Sequence, residues 1–421
     1  MMKAKSFVLF LIILTITSVC LSQGRKKEEN LIGELLKSRP DLFKTILDDP
    51  AKFEIQILYT QIDRDKNNVP KFTSYKYRVN PKEYFYPASS VKLSAAILSL
   101  QKLNELKINN LNRNTPLRID SVEAWQRMTD KDVTAPDSLP TIAQFIRKIL
   151  LVSDNDAYNS LYEFLGQKYL NEQLWKHGYK NVNLIHRLSS PLTKEQNRIT
   201  NPFTFYNHDE IIYEQHGQKN PKQYKNELPN LLRGIGYIQD DSLISKPKDF
   251  TYSNYIALED LQNVLRAVIF PKFIPARQRL NLTQDDYKFL QKYLSMLPKE
   301  SKYPKYDTTK YWDSSVKYFM YGDTKSSIPE NIRIFNKIGG AYGYLIDNAY
   351  IVDFVNKVEF LLTAVIYVNN DRIFNDDKYE YDEIGVPFLA NLGKIIYQHE
   401  LKRNRKFKPN LYDFVIDYST P

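Results

Sequence analysis

The sequence predicts an α+β fold in which an antiparallel sheet from both chain ends is flanked by helices, with an inserted all-helical subdomain in the middle. Three observations predict it. Runs that alternate apolar and polar residues, or are rich in Val, Ile and Tyr, lie near both termini, at Phe53 to Tyr59, Phe72 to Val79, Asn348 to Phe354 and Val358 to Val368. Between them apolar residues fall at helical spacing, as in Ile142, Phe145, Ile146, Ile149 and Leu150. Residues 93–100 are apolar nearly all the way round, the pattern of a buried helix.

The chain has 421 residues, 43% hydrophobic and 13% aromatic, enough for a substantial core. Lys3 and Lys5 precede an apolar run from Phe7 to Ile16, followed by Thr17 to Gln23. This reads as a signal peptide over residues 1–22, cleaved near Ser22, leaving one domain over 23–421 with no further membrane span. A secreted or periplasmic protein is expected. Cys20 is the one cysteine, so cleavage after Ser22 removes all thiol, disulfide and cysteine-metal chemistry. The alternative, a lipoprotein anchored through Cys20, lacks the usual Leu and small-residue pattern ahead of it. The 59 basic and 49 acidic residues give a net charge of +10, but the lysines are dispersed and no aromatic-basic module is visible. A solvated surface, with no nucleic-acid partner, follows.

From Gln23 an amphipathic helix around Leu31 to Leu36 runs up to Pro40, and the first two strands are joined by the turn Asp65-Lys66-Asn67-Asn68. Next comes Tyr86-Pro87-Ala88-Ser89-Ser90-Val91-Lys92. Pro87 blocks upstream helix, which places Ser89 near a first turn, and Lys92 follows at a spacing that shares its face. A desolvated amine there has a lowered pKa and takes a hydroxyl proton, making a nucleophile. The helix of Thr141 to Val152 ends in Ser153-Asp154-Asn155, and a second helical run continues to Gly166. That polar tripeptide either faces a cleft or serves only as a turn and N-cap. The adjacent glycines of Asn336 to Gly343 either let backbone approach a ligand or form a hairpin turn. Tyr255 to Leu297 reads as helices, and a last helix covers Pro387 to Leu401.

Ser89-Ser90-Val91-Lys92, Ser153-Asp154-Asn155 and Lys337-Ile338-Gly339 stand in the chain order of the SxxK, SDN and KTG signatures, so the chain resembles the penicillin-recognising serine enzymes. The flanks Leu151 to Asn159 and Lys337 to Ile351 are similar to class A β-lactamases, and the resemblance extends from about Phe53 to Leu401. It implies a β-lactamase/transpeptidase-like fold. It further implies that Ser89 forms an acyl-enzyme, Lys92 helps deprotonate it, Ser153 relays a proton to the leaving nitrogen, and Asn155 holds Lys92 and the substrate amide. Lys337 would hold the substrate carboxylate, and the oxyanion hole would combine the Ser89 N–H with one after Gly339, near Ala341. No cofactor and no metal are required, and the five histidines show no zinc-ligand spacing. The implied partner is a small β-lactam or peptidoglycan-like substrate, and the chain is expected to be a monomer.

The sequence also departs from the family pattern. The position of the deacylating glutamate falls near Ser189, and the nearest downstream acid, Glu195, is out of register. Ile338 replaces a hydroxyl residue, and no arginine lies between Lys337 and Arg372. Extra length lies at about 201–251 and, rich in tyrosine, at about 299–327; the tyrosines either border the cleft or pack among themselves. Three functions follow from these features. The first is an exported serine hydrolase that opens β-lactam amides through Ser89. The others are a D,D-peptidase, penicillin-binding or esterase-type acyl enzyme, and a non-catalytic envelope-binding protein.

Overall fold

A computed structural model describes residues 31–208 and 210–419; the expected signal peptide and Cys20 lie outside the described residues. Five strands form the central sheet: β1 Gln56–Arg64, β2 Pro70–Tyr77, β3 Ile332–Ala341, β4 Tyr344–Asp353 and β5 Val358–Tyr367. Their order is β3-β4-β5-β1-β2, antiparallel throughout. The N-terminal hairpin joins the C-terminal meander through β1 and β5, with Gln56 opposite Val365 and Gln61 opposite Phe360.

Residues 31–37 are helical, and the helices that follow are α1 Pro40–Asp48, α2 Lys92–Leu106, α3 Ile142–Leu151, α4 Asn155–Lys176, α5 Leu258–Ile269, α6 Gln284–Ser295 and α7 Val386–Lys402. They bury both sheet faces, which is why β4 is buried along its whole length. Leu58, Ile346, Tyr350 and Val365 face the larger core, whereas Tyr59, Ile351, Leu362 and Ala364 face the second, the period-two alternation of a strand. On the first face Gln262 of α5 donates to Leu58 O and Thr363 Oγ1, both at 3.0 Å, and accepts from Thr60 at 2.6 Å. On the second face Phe43 of α1 meets Phe388 of α7 edge-on, 6.0 Å between centroids.

The nearly all-apolar stretch is α2, in which Leu93, Ile97, Leu98 and Leu100 are buried. Each such side chain contributes about 1.5–3 kcal/mol. Thr141 caps α3 by accepting from Gln144 N, and Asp154 caps α4 by accepting from Ala157 N.

Pro40 interrupts the N-terminal helix as expected and starts the next one, since a proline needs no N–H partner in a first turn. The helical run expected to end at Gly166 does break there, at φ 71°, and a second helix continues to Lys176. Two expectations are corrected. The middle is not all-helical: Leu117–Ile119, Phe203–Asn207 and Glu210–Gln215 form a small antiparallel sheet, because Phe203 and Phe205 both turn inward onto Phe164. Gly339 and Gly340 lie within β3, and the turn falls at Tyr342 and Gly343, whose φ values are 55° and 78°. Among the described residues no helix is long and apolar enough to cross a membrane.

Candidate active site

Ser89 sits half-buried in a 3₁₀ turn, Ala88–Val91, which leads directly into α2 at Lys92. The turn is tight. Ala88 adopts φ 47°, sparsely populated for a residue with a Cβ, and Ser90 closes on Pro87 O through its N–H at 3.1 Å and its hydroxyl at 2.6 Å.

Lys92 is completely buried. Its amine donates to Asn155 Oδ1 at 2.7 Å, to Ser153 Oγ at 3.3 Å and to Ser153 O. Those three acceptors match the three protons of an ammonium, and none of the three bonds goes to Ser89. Burial pushes the Lys92 amine down to about 7, only partly opposed by Asp154. The amine therefore exchanges its proton near neutral pH.

Ser153 occupies the left-handed region, φ 60°, between α3 and α4, which brings its hydroxyl between two lysines. Lys337, on the edge strand β3, donates to Ser153 Oγ at 2.8 Å and to Ile338 O at 2.9 Å. Burial holds Lys337 well below the usual lysine range, and the neighbouring charge of Lys92 lowers it further. Gly339, two residues on, lies against the serine turn. A Cβ there would stand 2.6 Å from Pro87 O, 2.9 Å from Ser90 N and 3.2 Å from Ser89 N, so only glycine fits this approach. Lys337, Gly339 and half-buried Ala341 share one strand face by period two.

A third lysine, invisible as a site residue in the sequence, backs this strand. Lys317 of the second insert is buried and donates to Leu294 O, Ile334 O and Asn336 Oδ1 at 3.1, 2.8 and 2.9 Å. Asn336 in turn donates to buried Asp347 at 2.8 Å, so a polar network fixes the residue next to Lys337. The tyrosines of that insert divide. Tyr318 places its hydroxyl 3.7 Å from where a Cβ on Gly340 would stand. Tyr306 lies near Asp154, and its buried hydroxyl has no hydrogen-bond partner among the described residues.

Ser189, near which the sequence places the family's deacylating glutamate, accepts from Asn155 Nδ2 at 2.8 Å through its hydroxyl. Glu195 is exposed and paired loosely with Lys194 at 3.9 Å. The intervening loop is anchored from beneath. Buried Arg187 donates to Glu163 at 2.6 Å and to Ile199 O at 2.6 Å, and Asn159 exchanges two 2.9 Å bonds with the backbone of Leu188. A cavity of about 340 Å³ opens beside Ser189, lined in part by Trp125, Met128, Asp156 and Leu192.

The first insert also reaches the site. Its Phe250 is fully buried against Tyr86 and Tyr342, at 6.1 and 5.6 Å between centroids, and Tyr86 stacks on His186 at 5.9 Å. Burial pushes His186 down to about 4, so it is a neutral packing element at pH 7. Among the described residues no group of three or more His, Cys, Asp or Glu is placed to hold a metal ion.

The structure thus brings Ser89, Lys92, Ser153, Asn155, Lys337 and Gly339 together, with Ala341 further along the same strand. Sequence reasoning missed Lys317, Asp347 and Glu163. A lysine or acid on an aromatic-rich insert or a helix carries no local signal of burial.

A model of the beta-lactamase enzyme family matches residues 42–264, a stretch that holds Ser89, Lys92, Ser153 and Asn155 and ends before Lys337. No curated protein matches. Among solved structures, a β-lactamase from Sphaerobacter thermophilus is 11% identical, covering 88% of this chain and 96% of its own, with a TM-score of 0.46. A halotolerant bacterial β-lactamase is 16% identical over 86% and 99% of the two chains, TM-score 0.46. A class A β-lactamase from Clostridium kluyveri is 16% identical over 85% and 97%, TM-score 0.43. With the family match spanning more than half of its length, the chain belongs to the beta-lactamase enzyme family.

Proposed function

We propose that this protein is an exported serine hydrolase that opens β-lactam amides through an acyl-enzyme on Ser89. The observation that carries the reading is the Ser153 hydroxyl, bonded at once by Lys92 and Lys337 beside the serine turn. The neutral Lys92 amine takes the Ser89 proton as Ser89 Oγ bonds to the lactam carbonyl carbon. The carbon–nitrogen bond then breaks, and Ser153 passes a proton to the leaving nitrogen, regaining one from the lysine pair. The N–H groups of Ser89 and Ala341 receive the developing oxyanion. Lys337 holds the substrate carboxylate, and the cavity beside Ser189 takes the acyl side chain. Export rests on the basic, apolar and small-residue pattern of residues 1–22.

One observation favours a second reading. Asn155 meets a hydroxyl, Ser189, rather than a carboxylate, so the group it holds is a weak base for activating water. The acyl-enzyme is then long-lived, as suits a penicillin-binding acyl enzyme acting on peptidoglycan-like peptides. An intact-mass time course of the mature protein with penicillins and cephalosporins tests both readings. A drug adduct on wild type and none on Ser89→Ala is expected. Fleeting adduct with drug consumed marks a β-lactamase, and persistent adduct marks the second reading. Turnover by Ser89→Ala would sink both.

A further inference from the structure

A cavity of about 740 Å³ contains none of the residues assigned above to the serine centre. It lies where the ends of β1 and β2 meet the first insert and the loop after β5. Its volume falls within the roughly 300–1,000 Å³ typical of small-molecule sites. Four basic side chains line it, Arg78, Lys82, Arg233 and Arg372, against two carboxylates, Glu54 and Glu83.

The pairing inside it is uneven. Glu54 is already matched: one oxygen accepts from Arg233 and the other from the Tyr344 hydroxyl at 2.9 Å. Glu83 accepts from Asn80 at 3.1 Å. The side chains of Arg78, Lys82 and Arg372 make no hydrogen bond or ion pair among the described residues. Gln56, only 3% exposed, accepts the Asn80 N–H through its amide oxygen, which leaves its NH₂ as a further donor on the wall. Four cations face two carboxylates in the cavity, and the three at its rim have no partner among the described residues. A net positive cleft with low-dielectric walls concentrates anions.

We infer that this cavity is a second ligand site, for a compound bearing two or more anionic oxygen groups, carboxylate or phosphate. Arg78, Lys82 and Arg372 grip those groups from the rim. The Glu54–Arg233 pair forms a rigid floor, and Gln56 bonds an uncharged oxygen of the ligand. Arginine suits the task because its planar fork meets two oxygens of one carboxylate or phosphate. The ligand is either a free small polyanion or the end of an anionic polymer, two sources with the same recognition chemistry.

Calorimetric titration of the full mature chain with inorganic pyrophosphate, citrate and a soluble poly(glycerol phosphate) tests the inference. At least one probe is expected to bind wild type. It should weaken tenfold or more in the triple variant Arg78→Gln, Lys82→Gln, Arg372→Gln, with a shallower salt dependence, and bind Lys337→Ala as wild type. Tighter binding of the polymer than of pyrophosphate and citrate identifies a polymer end, and the reverse a free polyanion. Far-UV circular dichroism and the urea midpoint report that the triple variant is folded. Binding by none of the probes, equal binding to the triple variant, or loss of binding in Lys337→Ala would overturn the inference.

Discussion

Asn155 joins two sides of the site: its amide donates to Ser189 Oγ at 2.8 Å while its carbonyl oxygen accepts from Lys92 at 2.7 Å. The amine that would deprotonate the nucleophile and the loop that would hold a hydrolytic water are therefore connected through one side chain. What stands on the loop side is a hydroxyl, a poor base at neutral pH.

Replacing that hydroxyl tests its consequence. Ser189→Glu places a carboxylate beside Asn155, and since a positioned general base contributes about 10²–10⁴-fold, deacylation should accelerate at least tenfold. The decay of the mass-shifted adduct measures it. An unchanged adduct lifetime would show that the missing carboxylate does not limit deacylation.

Acylation should follow the Lys92 proton. The amine is lowered by burial from 10.5 to about 7, so its neutral fraction grows as pH rises through 7. Stopped-flow acylation by a chromogenic cephalosporin should rise from pH 6 to 8 and then level. The same shift has a stability sign. An unfolded lysine keeps its proton to about 10.5, so the unfolded state binds more protons from about pH 7 upward, and stability should increase with pH there. Lys102 and Lys317, also lowered to about 7 by burial, act in the same direction. Urea unfolding at pH 6, 7.5 and 9 reads the trend, which should be gone below pH 6 where both states are protonated.

Gly339→Ala should separate folding from chemistry. The added Cβ meets the Pro87 carbonyl at 2.6 Å and must push β3 from the serine turn. Overpacking of this kind costs about 1–3 kcal/mol, which a domain of this size should survive. Acylation, which depends on the spacing of Ser89 from β3, should fall by about 10²-fold or more. Circular dichroism and the adduct assay together distinguish this from global unfolding.

Arg187→Ala removes the cation under the Ser189 loop and leaves Glu163 buried without it. Breaking a buried pair costs about 3–5 kcal/mol, here moderated because Glu163 keeps the Asn201 N–H at 2.8 Å. A lower urea midpoint and faster proteolysis between Leu188 and Glu195 are expected. Glu163→Gln, which retains a hydrogen-bonding group for Arg187, should be milder.

Local pattern was sufficient for much of this protein. The period-two runs located the strands to within a few residues, and the apolar stretch after Lys92 marked the buried helix. The three short motifs named the residues that gather around Ser153, because chemistry of that kind needs particular side chains at fixed local spacing. What sequence determined, then, is the outline of the central sheet and the buried helix, and the set of side chains that the fold gathers around Ser153. Tertiary structure decided the rest. Whether Gly339 turns a hairpin or admits the serine turn depends on Pro87, some 250 residues earlier in the chain. Lys317 and Asp347 acquire a role only when an aromatic insert folds behind β3, and Phe203 and Phe205 turn inward in a small sheet that the sequence reading did not place. Burial and long-range pairing, which lower the pKa of Lys92 and bring two lysines onto one hydroxyl, are properties of the packed chain and have no counterpart in any local stretch of it.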